Sequence, residues 1–96
     1  MATDSTAAAT QPPVVMYSSG WCPYCMRARA LFERKGVAFA EIKVDEQPQE
    51  RDTMLARSGG RRTVPQIFVG DRHVGGFDDL YALDQAGELD KLLGRA

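Results

Sequence analysis

The stretch Trp21-Cys22-Pro23-Tyr24-Cys25 constrains this chain more than any other. It follows a short apolar run, Val14-Val15-Met16-Tyr17, and opens a helical pattern that reaches Lys35. Paired cysteines with two residues between them, set between a strand and the helix that follows it, read as a redox dithiol. Pro23 fits the first helical position, where its missing N–H costs nothing and its fixed φ suits the turn. Cys22 then becomes the N-cap, with the amides of Tyr24 and Cys25 free to donate to its sulfur. By position Cys22 is expected to be the exposed nucleophile. Cys25, one turn in and facing the core, is the resolving thiol.

Magnitudes show what such a thiol needs. A free thiol titrates near ~8.5, so about 3% is thiolate at neutral pH. Lowering the pKa by ~3 units takes ~4 kcal/mol, at ~1.36 kcal/mol per unit. The helix dipole contributes about 0.3–1 kcal/mol, reaching ~2 when partly buried. Hydrogen bonds to the sulfur must therefore carry much of the shift, helped by a nearby cation such as Arg27.

A chain of 96 residues, 44% of them hydrophobic, supports one small domain with a modest core. The formal net charge of −1 favours neither nucleic acid nor a membrane surface. No apolar run approaches the ~18 residues of a membrane span. Both cysteines belong to the motif. A secreted scaffold of this size usually holds several structural disulfides, so a reducing compartment, the cytoplasm, is expected. Met1 to Pro13 is rich in Ala, Thr and Ser and ends in Pro12-Pro13. It lacks the charged start and long apolar stretch of a signal peptide, and it carries Asp4 and no arginine, unlike a transit peptide. It is expected to be a disordered tail over 1–13, leaving one domain over 14–96. No internal repeat is visible.

Val14–Tyr17 suits a buried parallel strand. In the helix from Pro23, Cys25, Ala28, Leu31 and Phe32 share one face, and Arg27, Arg29, Arg34 and Lys35 read as a solvated opposite face. Gly36 stops it. Ala38–Val44 is expected as a second strand, with Phe39, Ile42 and Val44 apolar. Pro48 starts a second helix, whose contacts are Met54 and Leu55, and Ser58-Gly59-Gly60 ends it. Gln66–Val69 is a third strand, and the turn signal Gly70-Asp71 pairs it antiparallel with Arg72–Val74. Gly75-Gly76-Phe77-Asp78-Asp79 opens a third helix, stopped at Gly87, and a last turn or two covers Glu88 to Leu93. The fold class is α/β: βαβ followed by ββα, a four-stranded mixed sheet flanked by helices.

The order Cys22-Pro23-Tyr24-Cys25, then Thr63-Val64-Pro65, then Gly75-Gly76-Phe77-Asp78-Asp79 resembles a dithiol glutaredoxin of the bacterial type, in the thioredoxin-like superfamily. The likeness spans Val14 to Leu93. It implies a glutathione-dependent thiol–disulfide oxidoreductase, with glutathione as co-substrate and Cys22 and Cys25 forming the redox-active disulfide. It implies that the bond before Pro65 is cis, although only ~5–6% of such bonds are cis in folded proteins. The bend would turn the Val64 backbone toward the cysteinyl part of the tripeptide, which then pairs like a short added strand. It implies close backbone approach at Gly75 and Gly76, with the Phe77 and Asp78 amides at a helix start receiving the γ-glutamyl carboxylate. Asp78 or Asp79 would take the ammonium, Tyr24 would flank the groove and Thr63 would line it. A lysine common in the family three positions ahead of the first cysteine is Ser19 here. Arg61 or Arg62 is the expected substitute at the glycyl carboxylate.

The implied partners are glutathione and glutathionylated or disulfide-containing proteins, among them ribonucleotide reductase, with the protein a monomer. Rival readings are an electron donor recharged by thioredoxin reductase, and a [2Fe–2S] carrier using the first cysteine and bound glutathione. The first tends to lack the groove, and Pro23 argues against the second. A zinc site needs four ligands, and His73 is the one further candidate, so no metal is expected. His73 reads as a solvated or hairpin-packing residue, not a chemical one. Trp21 reads either as ring surface over the loop or as a contact for protein substrates.

Overall fold

The computed structural model describes residues 11–95. Its sheet grows outward from β1 (Val14–Ser18), whose alternating side chains feed two cores. Val14 and Met16 enter one, and Val15 and Tyr17 enter the other. Chain order continues with α1 (Pro23–Arg34), β2 (Ala40–Lys43), α2 (Pro48–Arg57) and β3 (Gln66–Val69). It closes with β4 (Arg72–Gly75), α3 (Phe77–Gln85) and α4 (Glu88–Leu92). The strand order is β2-β1-β3-β4, with β1–β2 parallel and β1–β3 and β3–β4 antiparallel. This is the mixed four-stranded sheet expected from the sequence.

On one face, Leu31 and Phe32 of α1, Leu80 of α3 and Leu89 of α4 pack on Met16 and Ile67. On the other, Met54 of α2 covers Tyr17, Val44 and Phe68. Each such side chain contributes about 1.5–3 kcal/mol by leaving water. The dithiol helix is thus fixed to the sheet through the larger core, and the helix after β2 through the smaller one.

Three details depart from the sequence reading. The second strand covers Ala40–Lys43 and not Ala38–Val44, the stretch that pairs with β1, and Phe39 ahead of it lays its ring against Phe32 at 5.2 Å between centroids. The basic face of α1 is not simply solvated. Arg29 Nε donates to Glu41 at 3.0 Å, and Lys35 Nζ lies 2.8 Å from Asp84 and 3.2 Å from Asp90. These pairs tie α1 to β2 and to the C-terminal helices. Finally, most of the expected tail lies outside the described residues, but its last members are held by the domain. The Gly70 amide donates to Pro13 O at 2.7 Å, and Gln11 Nε2 donates to Ala38 O at 3.0 Å. Among the described residues, no helix is long and apolar enough to cross a membrane.

Candidate active site

Cys22 is the N-cap of α1, in extended backbone conformation, with Pro23 at the start of the helix. The Cys25 amide donates to Cys22 Sγ at 3.1 Å, as a cap should. Among the described residues no matching bond comes from Tyr24. The cysteines are joined as a disulfide, their Cα atoms 5.1 Å apart. Cys25 is fully buried. The expectation of an exposed Cys22 is not met: the residue is 7% exposed. A capping sulfur turns toward the first amides of its helix, and Val64 O closes over it at 3.7 Å. Solvent reaches its margin, not its whole surface. Trp21, by contrast, is 80% exposed and Tyr24 about half exposed. Arg27 lies over the Tyr24 ring, 5.3 Å from the centroid, so its cation is spent on the ring face at the rim.

The loop ahead of the dithiol carries no cation. Ser19 Oγ donates to Trp21 O at 3.3 Å, and the Gly20 amide donates to Asp45 at 2.9 Å. Asp45 follows β2, so the loop is braced by a segment far away in sequence.

Beside the disulfide runs a cleft of about 300 Å³, lined by Tyr24, Arg61, Thr63, Val64, Pro65 and Gly76 to Asp79. The Val64–Pro65 bond is cis. The far wall is the start of α3, whose first amides lack helical partners. Asp79 reaches back to accept from the Gly76 amide at 3.0 Å, and Arg61 Nη2 lies 3.8 Å from the same carboxylate oxygen. Gly75 has φ +113, and a Cβ there would lie 2.3 Å from Asp79 Oδ2. Asp78 is exposed beside it.

Dithiol, cis-proline and helix start thus surround one cleft, in the order read from the sequence. The glutaredoxin family model matches residues 14–74. A glutaredoxin of Pseudomonas aeruginosa is 58% identical over 82 residues, which is 85% of this chain and 96% of that protein. This chain belongs to the glutaredoxin family. Among solved structures, the solution structure of glutaredoxin from Brucella melitensis aligns with a TM-score of 0.77 at 51% identity, covering 90% of this chain and 92% of that one. The crystal structure of a buckwheat glutaredoxin–glutathione complex aligns with a TM-score of 0.77 at 30% identity, covering 97% and 87%. The protein is a dithiol glutaredoxin of thioredoxin-like fold, a thiol–disulfide oxidoreductase with the Cys22/Cys25 pair.

The structure of this glutaredoxin brings Tyr24, Thr63, Val64, Pro65, Gly76, Phe77, Asp78 and Asp79 onto the one cleft. Of the two arginines, Arg61 joins them and Arg62 does not. A larger groove of about 650 Å³ opens at the opposite end of β1, between residues 11–15 and 38–40. Among the described residues it is lined by no titratable or nucleophilic side chain, so the chemistry belongs to the smaller cleft. Among the described residues no cluster of three or more His, Cys, Asp or Glu side chains could hold a metal. Sequence reasoning missed Asp45 and Gln66. Gln66 is wholly buried behind the cis-proline and donates to Thr63. The signal it left was a polar residue opening an otherwise apolar strand.

Proposed function

We propose that this glutaredoxin reduces protein–glutathione mixed disulfides and protein disulfides with glutathione as electron donor. The observation that carries the reading is the single cleft beside Cys22, with a carbonyl wall at Val64, a helix start at Phe77, a carboxylate at Asp78 and a cation at Arg61. Those groups complement a tripeptide with an ammonium, two carboxylates and a thiol. The Phe77 and Asp78 amides receive the γ-glutamyl carboxylate. Asp79 already caps the Gly76 amide, which leaves Asp78 for the ammonium. Arg61 turns to the glycyl carboxylate, with Tyr24 alongside.

In the reaction, the Cys22 thiolate attacks the glutathionyl sulfur, and the protein sulfur leaves as thiolate and takes a proton. A second glutathione thiolate then attacks the glutathionyl sulfur of the Cys22 mixed disulfide. Glutathione disulfide departs and Cys22 returns as thiolate. Alternatively, Cys25 attacks Cys22, expelling glutathione and leaving the internal disulfide, which two glutathiones reduce. We place the protein in a reducing compartment, the cytoplasm, as a monomer whose domain reaches back to Gln11. Disulfide-containing enzymes of the ribonucleotide reductase kind are suitable partners.

The test is turnover of a small glutathione mixed disulfide by wild type, Cys22→Ser and Cys25→Ser. Activity is expected to vanish in the first variant and largely persist in the second. Equal loss in both removes the monothiol route. No response of the Val64 and Phe77 amide resonances to reduced glutathione removes the glutathione reading.

A further inference from the structure

We propose that His73 is a positioning residue, holding through Gln66 the peptide plane that presents the Val64 amide to the cleft. His73 sits on β4, its ring stacked on Phe68 with centroids 4.8 Å apart and planes 25° from parallel. Its Nε2 lies 2.6 Å from Gln66 Oε1. Gln66 is fully buried, and its Nε2 donates to Thr63 O at 3.0 Å and to Thr63 Oγ1 at 3.2 Å. A carbonyl cannot donate, so the Gln66 amide nitrogen must face Thr63 and its oxygen must face the ring. His73 Nε2 therefore carries the hydrogen. Hydrogen bonds run in one direction, from His73 to Gln66 to Thr63.

The endpoint gives the chain its purpose. Thr63 O and the Val64 N–H belong to one peptide unit, and that unit is trans, the cis bond being the next one. In a trans peptide the C=O and N–H point opposite ways. Fixing Thr63 O from behind therefore fixes where the Val64 amide points. The His73 bond holds the far end of the Gln66 amide and so fixes its plane. Burial makes His73 less basic, and Arg61 and Arg57 act in the same direction against Asp79. Burial thus favours the neutral ring, and the bond to Gln66 Oε1 places its hydrogen on Nε2. Protonation keeps that donor, so the chain is a fixed support and not a pH switch.

The inference rests on the glutathione reading for the Val64 amide as a ligand contact, while the His73–Gln66–Thr63 bonds stand without it. His73→Phe keeps a ring on Phe68 and removes the donor; Gln66→Leu removes the whole link. Each is expected to raise the KM for a glutathionylated peptide about five- to tenfold, the value of one buried hydrogen bond, with kcat within twofold of wild type. The double variant should match Gln66→Leu alone, since His73 acts through Gln66. In the free protein, the Val64 amide proton should shift in His73→Phe while its thermal midpoint confirms folding. An unmoved Val64 amide in His73→Phe, an unchanged KM, or multiplicative effects in the double variant would overturn the proposal. If wild type proves not to bind glutathione, the functional reading falls, and the Val64 shift alone decides this one.

Discussion

Arg61 and Arg62 are chemically identical neighbours, yet one lines the cleft and the other does not. The Ser58 hydroxyl accepts from the Arg61 amide at 3.0 Å and donates to its carbonyl at 3.2 Å, which fixes the Arg61 backbone at the edge of the cleft. Removing an exposed charge contact costs about 0.2–1 kcal/mol. Arg61→Ala should therefore raise the KM for glutathione substrates by up to about fivefold, while Arg62→Ala leaves it unchanged in the same steady-state assay. Gly75 is the stricter position. Its φ of +113 excludes ordinary side chains, and a Cβ would displace the Asp79 carboxylate that caps Gly76. Backbone strain and a lost cap together give about 2–4 kcal/mol. Gly75→Ala should thus lower the thermal midpoint by about 10 °C or more. Gly76→Ala, whose Cβ would meet Pro65 O at an ordinary 3.5 Å, should cost much less.

Helix α1 reaches the sheet through its apolar face and also through the Arg29–Glu41 pair, which the periodicity of the helix assigned to solvent. Periodicity reports which side of a helix is polar, but not that β2 brings an acid within reach of it. Glu41 accepts from Arg29, and from Ser18 Oγ at 2.6 Å. The Arg29 guanidinium holds its carboxyl below the usual glutamate range, with the Ser18 hydroxyl adding to this against the opposing effect of burial. A carboxylate depressed in the folded state contributes stability that is present above its unfolded pKa, ~4.3. That contribution is lost as pH falls through the lower folded value. Glu41→Gln should therefore be less stable than wild type at neutral pH, and the gap in denaturation midpoints should narrow as pH drops below ~4.3. A gap that stays constant into acid would place the contribution of Glu41 in packing instead.

At the scale of the molecule, the domain extends further than hydrophobic pattern indicates. Pro12 and Pro13 have no helical or strand period, yet Pro13 O completes the turn at Gly70 and Gln11 reaches Ala38. Starting the chain at Val14 instead of Gln11 removes those bonds, worth about 1 kcal/mol each. The shorter chain should melt about 4–8 °C lower for each kcal/mol lost, by calorimetry of the two truncations. The strands, the helices and their order were legible in the amino-acid sequence, because apolar period, Pro at helix starts and Gly at helix ends are local signals. So were the dithiol and the residue types of the cleft, since each motif is short and contiguous. What local pattern could not carry was distance between segments. Bringing Arg61 to the cleft and leaving Arg62 aside, bracing Gly20 on Asp45, turning the Cys22 sulfur under Val64 and linking His73 to Thr63 each depend on side chains meeting across the sheet. Sequence determined the parts and their order; packing of α1, α2 and α3 against a twisted sheet decided which of them touch, because a contact energy exists only once the backbone has fixed the distance.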